Sequence, residues 1–266
     1  MKLKLFLILL LFSFKVLAQE KLKGKFDYKV TYKLSFQLDS TDNGSRKSEY
    51  MYLFVNEDYS NYISRAKTLS HQVVRKGNTA HTSKVALTSF HYQIFKNKNK
   101  GELLYLYKIP GMNDRFYYNQ SIDLFNWQIY PETKKIKDYK VQKATTFFGG
   151  RNYIAWFAPE LPFSDGPYKF NGLPGLILEI KDEKGFWNFE FFGLEKLSPK
   201  EKFKININLY QKMSQSELAN LVYEFRRDPM GYANNPNVHI TPEVHKKYVE
   251  SFTKMLEKEN NPIELK

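Results

Sequence analysis

Cysteine is absent from this chain of 266 residues. Its absence excludes disulfides, zinc sites built on thiolates and cysteine nucleophiles. It also excludes the bacterial lipid anchor, which is attached to a cysteine just behind an export signal. The fold must therefore be stabilised by its core alone. Aromatic side chains are abundant enough to build that core, since Phe, Tyr and Trp make up 17% of the chain.

Long apolar runs are scarce, and the most apolar one stands at the start of the sequence. Lys2 and Lys4 precede about ten apolar residues, and Val16 and Ala18 place small residues where a signal peptidase reads. We predict a signal peptide over residues 1–18, cleavage near Ala18, and a periplasmic or secreted protein. A membrane anchor is the alternative, but a span needs roughly 20 apolar residues. No later run is that long, so we expect no transmembrane segment in the mature chain.

Motifs that carry catalysis are also missing. The sequence contains no G-x-S-x-G elbow, no P-loop and no H-E-x-x-H. His239 and His245 are six residues apart and so do not share a helix face. Adjacent Asp182 and Glu183 predict a hairpin turn rather than an acid–base pair. We therefore expect no enzyme activity, no cofactor and no metal, with a hydrolase of unrecognised site as the last alternative.

The net charge is strongly positive, at +13. Such an excess is compatible with nucleic acid, an anionic membrane face or acidic glycans as a partner. The basic residues are scattered, however, and the densest cluster is only Lys96–Lys100. Together with the predicted export, this scatter favours a solvated surface and argues against nucleic acid.

Alternation of apolar and polar residues dominates the first two hundred positions and predicts antiparallel strands with one buried face. The clearest alternation runs over residues 26–38 and would form a strand roughly 40 Å long. Hairpin signals follow, and we predict a sheet over about residues 24–210. Residues 66–89 lack the pattern and predict a connection or a short helix. The apolar positions of the first strand are Phe26, Tyr28, Val30, Tyr32, Leu34, Phe36 and Leu38.

Two helices are predicted after the sheet, over about residues 214–227 and 242–258. Ser214 and Glu217 form a capping box, and Pro242 suits the first turn of the second helix. We predict one domain over residues 19–266, of the α+β, mainly antiparallel β class. A long curved antiparallel sheet with two C-terminal helices packed on it is similar, at the level of fold alone, to the lipoprotein carriers of the bacterial envelope. The residues expected to bury the last helix are Val244, Tyr248, Phe252 and Met255.

The segment Gly172–Ile177 reads GLPGLI, and Phe148, Arg151 and Trp156 belong to a preceding pattern, F-x-G-R-x-Y-x-A-W-F. With these motifs the chain resembles the GLPGLI family of secreted bacterial proteins over about residues 140–197. The resemblance implies no particular activity. Its glycines and prolines bend the backbone sharply, so we predict an architectural role for the motif. The motif residues are Gly150, Gly166, Pro167, Gly172, Leu173, Pro174, Gly175, Leu176 and Ile177.

Arg151 and Lys169 stand among the aromatic residues of this block. Either they cap carbonyls at the rim of the sheet or stack on rings, or they bind an anion at the mouth of a cleft. The second hypothesis gives a candidate ligand site made of Arg151, Tyr153, Trp156, Lys169 and Phe170.

Three functions are compatible with these patterns. The leading hypothesis is an exported, non-catalytic envelope protein that binds a hydrophobic ligand, a peptide or a partner protein along one face of the sheet. The second is an accessory interaction module that contacts an outer-membrane protein of an uptake or secretion system. The hydrolase mentioned above is the third.

Overall fold

A computed structural model describes residues 21–69, 88–233 and 240–265. The predicted signal peptide, and most of the segment 66–89, lie outside the described residues. Within the described part of the chain, no helix combines the length and the apolar character that crossing a bilayer requires.

The described residues form a sheet of twelve strands in the order β12-β6-β5-β4-β3-β2-β1-β11-β10-β9-β8-β7. Neighbouring strands are antiparallel except β12 and β6, which are parallel. The sheet is open, with β12 and β7 at its two edges, and the predicted mainly antiparallel fold is confirmed. The strands are β1 (Lys21–Gln37), β2 (Arg46–Val55), β3 (Tyr59–Ser64), β4 (Tyr92–Asn97), β5 (Glu102–Lys108), β6 (Arg115–Ser121), β7 (Gln128–Ile136), β8 (Tyr139–Phe148), β9 (Arg151–Ala158), β10 (Leu176–Asp182), β11 (Trp187–Asn206) and β12 (Gln211–Lys212).

The long first strand lies at the centre of the sheet, between β2 and β11. Five of the seven apolar residues predicted for this strand are buried, with Val30, Tyr32 and Leu34 fully shielded from solvent, whereas Tyr28 and Leu38 are partly buried. The Tyr32 hydroxyl donates a hydrogen bond of 2.7 Å to the carbonyl of Ile177. This bond ties the central strand to the GLPGLI segment.

Two hydrophobic clusters cover opposite faces of strands β4–β6. On β4, Ile94 belongs to the larger cluster and its neighbour Phe95 to the smaller one, because successive side chains of a strand point to opposite faces. Phe26 of β1 and Ile205 of β11 complete the smaller cluster. The beginning of β1 and the end of β11 therefore pack against the face of the sheet opposite to the larger cluster. We call the face of the larger cluster the inner face.

Within the described ranges, four α-helices accompany the sheet: α1 (Arg65–Leu69), α2 (Gln215–Arg227), α3 (Pro229–Ala233) and α4 (Pro242–Lys258). The predicted capping box is present at the start of α2, with Ser214 and Glu217 each bonded to the backbone of the other. α2 contacts β6, whereas α4 packs against α2. Arg226 forms a bidentate ion pair with Glu259 at 2.6 and 2.7 Å.

The predicted buried face of α4 was wrong in part. Val244 is 45% exposed, and Tyr248 and Met255 are each 44% exposed. The helix rests on α2 rather than on the broad sheet, so only a narrow side turns inward. Leu256 is the buried residue of α4 among those described.

Acidification should destabilise the fold through His91, which precedes β4. Burial, reinforced by the charges of Lys67 and Arg226, lowers the pKa of His91 from 6.5 to about 4. The unfolded chain therefore binds this proton first, and stability is lost as the pH falls from about 6.5 towards 4. Urea unfolding at pH 7 and pH 4.5 should show a larger loss for the native protein than for His91→Gln. Equal losses would contradict this role.

Candidate functional site

The loop that precedes the GLPGLI segment is held by a buried ion pair. Lys96 of β4 places its ammonium 2.6 Å from Asp165 and 2.9 Å from the carbonyl of Phe170. Both charged side chains are fully buried, at 0% exposure. The pair fixes the two ends of the loop 165–170 on the inner face, and so brings Tyr168 and Lys169 to that face.

The turn itself depends on glycine. Gly175 has a φ of 152°, and a Cβ atom there would lie 2.3 Å from the carbonyl oxygen of Ala158. Tyr168 also has a positive φ, of 55°, which is unusual for a residue with a side chain. Leu173, Leu176 and Ile177 are buried beside the turn. The turn therefore requires glycine at position 175, and the architectural role of the whole motif stays a prediction.

Lys169 is fully buried in a cage of aromatic rings. Its ammonium lies 5.3–5.9 Å from the ring centroids of four side chains and 2.6 Å from the carboxylate of Glu264. Burial lowers the pKa of Lys169, and the charge of Glu264 opposes that shift. The caging residues are Tyr105, Tyr118, Phe148 and Tyr168.

Arg151, at the start of β9, is equally engaged. Its guanidinium lies 3.2 Å from the carboxylate of Asp182 and donates a bond of 2.6 Å to the carbonyl of Pro262. It also bonds the side-chain oxygen of Asn261. Arg151 thus donates to a carbonyl, and Lys169 pairs with a carboxylate, that belong to the same chain.

Both cations contact the same short segment, residues 260–265, which we call the tail. It has no regular secondary structure and follows α4 directly. The Asn261 amide donates to Leu38, and the Leu265 amide donates to Gly149 at 2.6 Å. The Trp187 indole donates to the carbonyl of Asn261 at 3.1 Å. The tail therefore occupies a groove across the inner face, and we call this the tail groove.

A cleft of about 300 Å³ opens beside the tail groove. Its sheet side is made of tyrosine rings, and we call it the tyrosine cleft. Burial raises the pKa of Tyr107 to about 12, so its hydroxyl remains protonated and able to donate at neutral pH. The lining consists of Tyr105, Tyr107, Tyr118 and Tyr168, of Gln215, Leu218, Ala219 and Val222 from α2, and of Pro262, Ile263 and Glu264 from the tail.

The structure brings four of the five predicted site residues to the inner face and separates the fifth. The rings of Tyr153 and Phe170 are in contact, with centroids 4.7 Å apart, near Arg151 and Lys169. Trp156 points to the opposite face of β9, because residues an odd number apart on a strand face opposite ways. There it lies under the ammonium of Lys134, at 4.5 Å. Ligand binding by the predicted residues stays a prediction.

Sequence reasoning missed most of the lining of the tyrosine cleft and the whole of the tail. The spacing of Tyr105 and Tyr107 places both rings on one face of a strand, and this was the available signal. The tail residues Asn261 and Glu264 carry no recognisable pattern. Among the described residues, no group of histidine and acidic side chains is placed to hold a metal ion.

Residues 149–179 match a family model described as a protein of unknown function, Porph_ging. The predicted family resemblance is confirmed. We call residues 149–179 the Porph_ging segment. It contains Arg151, Tyr153, Tyr168 and Lys169, which are four of the side chains that contact the tail. No match to a curated protein was found.

Two solved structures of PNGF-II are similar in fold, one in the C2 and one in the P21 space group. Each superposes with a TM-score of 0.55, at 17% and 16% identity, and each match covers 76% of this chain. The chain corresponds to about a third of the length of PNGF-II, 33% and 34% in the two crystal forms. At this identity the likeness concerns the fold alone, and it supports the architecture of the sheet.

Proposed function

We propose that this chain is a non-catalytic, exported binding protein, and that its ligand places an aromatic or apolar group in the tyrosine cleft. The observation that carries the proposal is the cleft itself. At about 300 Å³ it has the size of a small ligand site, and its wall combines tyrosine rings with apolar residues of α2.

The chemistry of the wall defines the class of ligand. A tyrosine ring offers a wide apolar surface and one hydroxyl, so it suits a group with an apolar body and a polar edge. Hydrophobic small molecules and aromatic side chains of peptides both have this character. The Gln215 amide, which bonds Glu264 at 3.0 Å, adds a polar contact at the rim.

The charges near the cleft favour binding over catalysis. Lys169 and Glu264 are 2.6 Å apart and neutralise each other, so neither is free to act as a nucleophile or a base. Because this ion pair carries no net charge and the rings beside it are aromatic, the cleft suits a neutral ligand. This arrangement supports the expectation that the protein is not an enzyme.

Filling the cleft should abolish binding. Val222 lines the cleft from α2, and Val222→Trp would place an indole in the space of the ligand. We expect the neutral fluorescent probe N-phenyl-1-naphthylamine to bind the native protein and to bind this variant at least about tenfold more weakly. Mass spectrometry of organic extracts should also show a co-purified compound in native material alone.

The matched control is Tyr223→Trp, since Tyr223 is the next residue of α2 and is 43% exposed. It adds an indole on the solvent side and should leave probe affinity unchanged. Equal probe binding by the native protein and Val222→Trp would refute the cleft as the site.

A second candidate function is the accessory interaction module of an outer-membrane system. The exposed apolar side of α4, with Val244, Tyr248 and Met255, favours this candidate because it offers a surface for another protein. Crosslinking in cells tests it. One dominant membrane partner that disappears with Tyr248→Glu would support it, and its absence would count against it.

A further inference from the structure

We propose that the tail groove is a recognition site for a short, non-helical peptide that carries a glutamate, and that the chain's own tail is a tethered occupant which such a peptide displaces. The inference rests on the proposed function, because it makes the ligand a peptide. It goes further by naming the receptor groups and the side chains they select.

Much of the groove's contact is with the backbone of its occupant. Arg151 donates to the carbonyl of Pro262, the Tyr153 hydroxyl donates to the carbonyl of Ile263 at 3.1 Å, and the Trp187 indole donates to the carbonyl of Asn261. A carbonyl is present at every position of any peptide. These donors therefore fix the path of the occupant without requiring a particular sequence.

Two side chains of the occupant supply selectivity. The carboxylate of Glu264 accepts bonds from Tyr168 and Gln215 and lies 2.6 Å from the ammonium of Lys169. The amide of Asn261 donates to Gln37 at 2.6 Å and accepts from Arg151. A matching partner would carry an acidic residue three positions after a hydrogen-bonding one.

The groove needs an occupant, but the present occupant is weakly anchored by apolar burial. Without a carboxylate, Lys169 would be a buried and unpaired charge, which is strongly unfavourable. Yet Leu265 is 37% exposed, and Pro262 and Ile263 are not buried. The tail is held chiefly by polar contacts, and a peptide of the same chemistry would reproduce them.

The tail also forms one wall of the tyrosine cleft, through Pro262, Ile263 and Glu264. Its displacement would join the cleft to the tail groove in one longer site. A peptide could then place its glutamate at Lys169 and an aromatic side chain between the tyrosines. The two sites are adjacent parts of one surface.

The test uses the full chain and a fluorescein-labelled synthetic peptide with the sequence of residues 258–265, KENNPIEL. In the variant Asn261→Ala/Glu264→Ala the tethered tail loses its two selective contacts. Fluorescence polarisation should then show peptide binding at least about tenfold tighter than to the native protein. A peptide with glutamine in place of its second glutamate should lose that gain.

Two further variants complete the design. Lys169→Met in the same background should abolish the gain, because it removes the partner of the peptide's carboxylate. If the double variant does not fold by circular dichroism, Glu264→Gln keeps the shape of the side chain and should give a gain of about fivefold. The proposal would be overturned if neither Asn261→Ala/Glu264→Ala nor Glu264→Gln, once folded, bound the peptide. Equal peptide binding to every protein, including Lys169→Met, would also overturn it.

The outcomes separate this inference from the proposed function. Probe binding that Val222→Trp abolishes, together with no peptide binding, would leave the tyrosine cleft as a ligand site and refute the groove. The opposite result is that the peptide binds the variant whose tail has lost its Glu264 carboxylate, while Val222→Trp leaves probe affinity unchanged. It would support the tail groove as a peptide site and refute the tyrosine cleft as a ligand site.

Discussion

Gly175→Ala is expected to lower the free energy of unfolding by about 3 kcal/mol or more. The added methyl would lie 2.3 Å from the carbonyl oxygen of Ala158 and 2.9 Å from Cα of Pro159, and both are backbone atoms that cannot rotate away. The φ of 152° adds strain, since only glycine adopts it readily. The pairing of β9 with β10 would have to shift to relieve the contact.

Urea unfolding monitored by tryptophan fluorescence measures the loss, and Gly193→Ala is the matched control. Gly193 lies in β11, and a Cβ atom there would meet nothing within 4 Å. Alanine at that position should change stability by less than about 0.5 kcal/mol. A Gly175→Ala protein as stable as the control would show that the turn tolerates a side chain.

Lys96→Met is expected to destabilise the fold by about 3–5 kcal/mol, because it leaves the buried carboxylate of Asp165 without its partner. Lys98 lies 3.4 Å from the other oxygen of Asp165 but is partly exposed, so it compensates only in part. Chemical unfolding at pH 7 measures the effect. Lys98→Met is the control and should cost less than about 1 kcal/mol.

A second change should rescue the first. Lys96→Met combined with Asp165→Asn removes both charges and should recover part of the lost stability. A double variant less stable than Lys96→Met would refute the charge argument and leave the loss to packing or to the carbonyls that Lys96 bonds.

The stability that the Lys96–Asp165 pair contributes depends on pH, and the direction of that dependence follows from the pKa of Asp165. Burial alone raises the pKa of Asp165, but the charges of Lys96 and Lys98 outweigh it and hold the pKa below its usual value of 3.8. The pair therefore stabilises the native protein above that value and loses its contribution as the pH falls through the lower, folded pKa. The difference between the native protein and Lys96→Met should narrow in strong acid.

The parts of the fold predictable from sequence were those decided by local patterns. β1 follows from apolar alternation, because the even positions of residues 30–36 all belong to the larger cluster. Phe26 shares the alternation but packs in the smaller cluster. The start of α2 follows from Ser214 and Glu217, since the capping box acts within one turn. The GLPGLI turn follows from glycine, whose conformational freedom is a property of the residue itself.

The site could not be predicted in the same way, because its contacts join distant parts of the chain. Arg151 and Asn261 are 110 residues apart, and Tyr168 and Glu264 are 96 apart. No pattern of residue spacing in the sequence predicts contacts between residues so far apart. Trp156 was grouped with Arg151 by neighbourhood in sequence, although strand alternation places them on opposite faces. The buried face predicted for α4 was wrong in part, because the periodicity of apolar residues does not reveal which neighbouring element a helix contacts.

The amide of Asn261 bonds the carbonyl of Gln37 across 224 residues of sequence. A chain still on the ribosome cannot make this bond until residue 261 has emerged, and until then Arg151 and Trp187 lack their partners in the tail. Since contacts between distant residues form slowly, native packing of the inner face should await the emergence of residue 261.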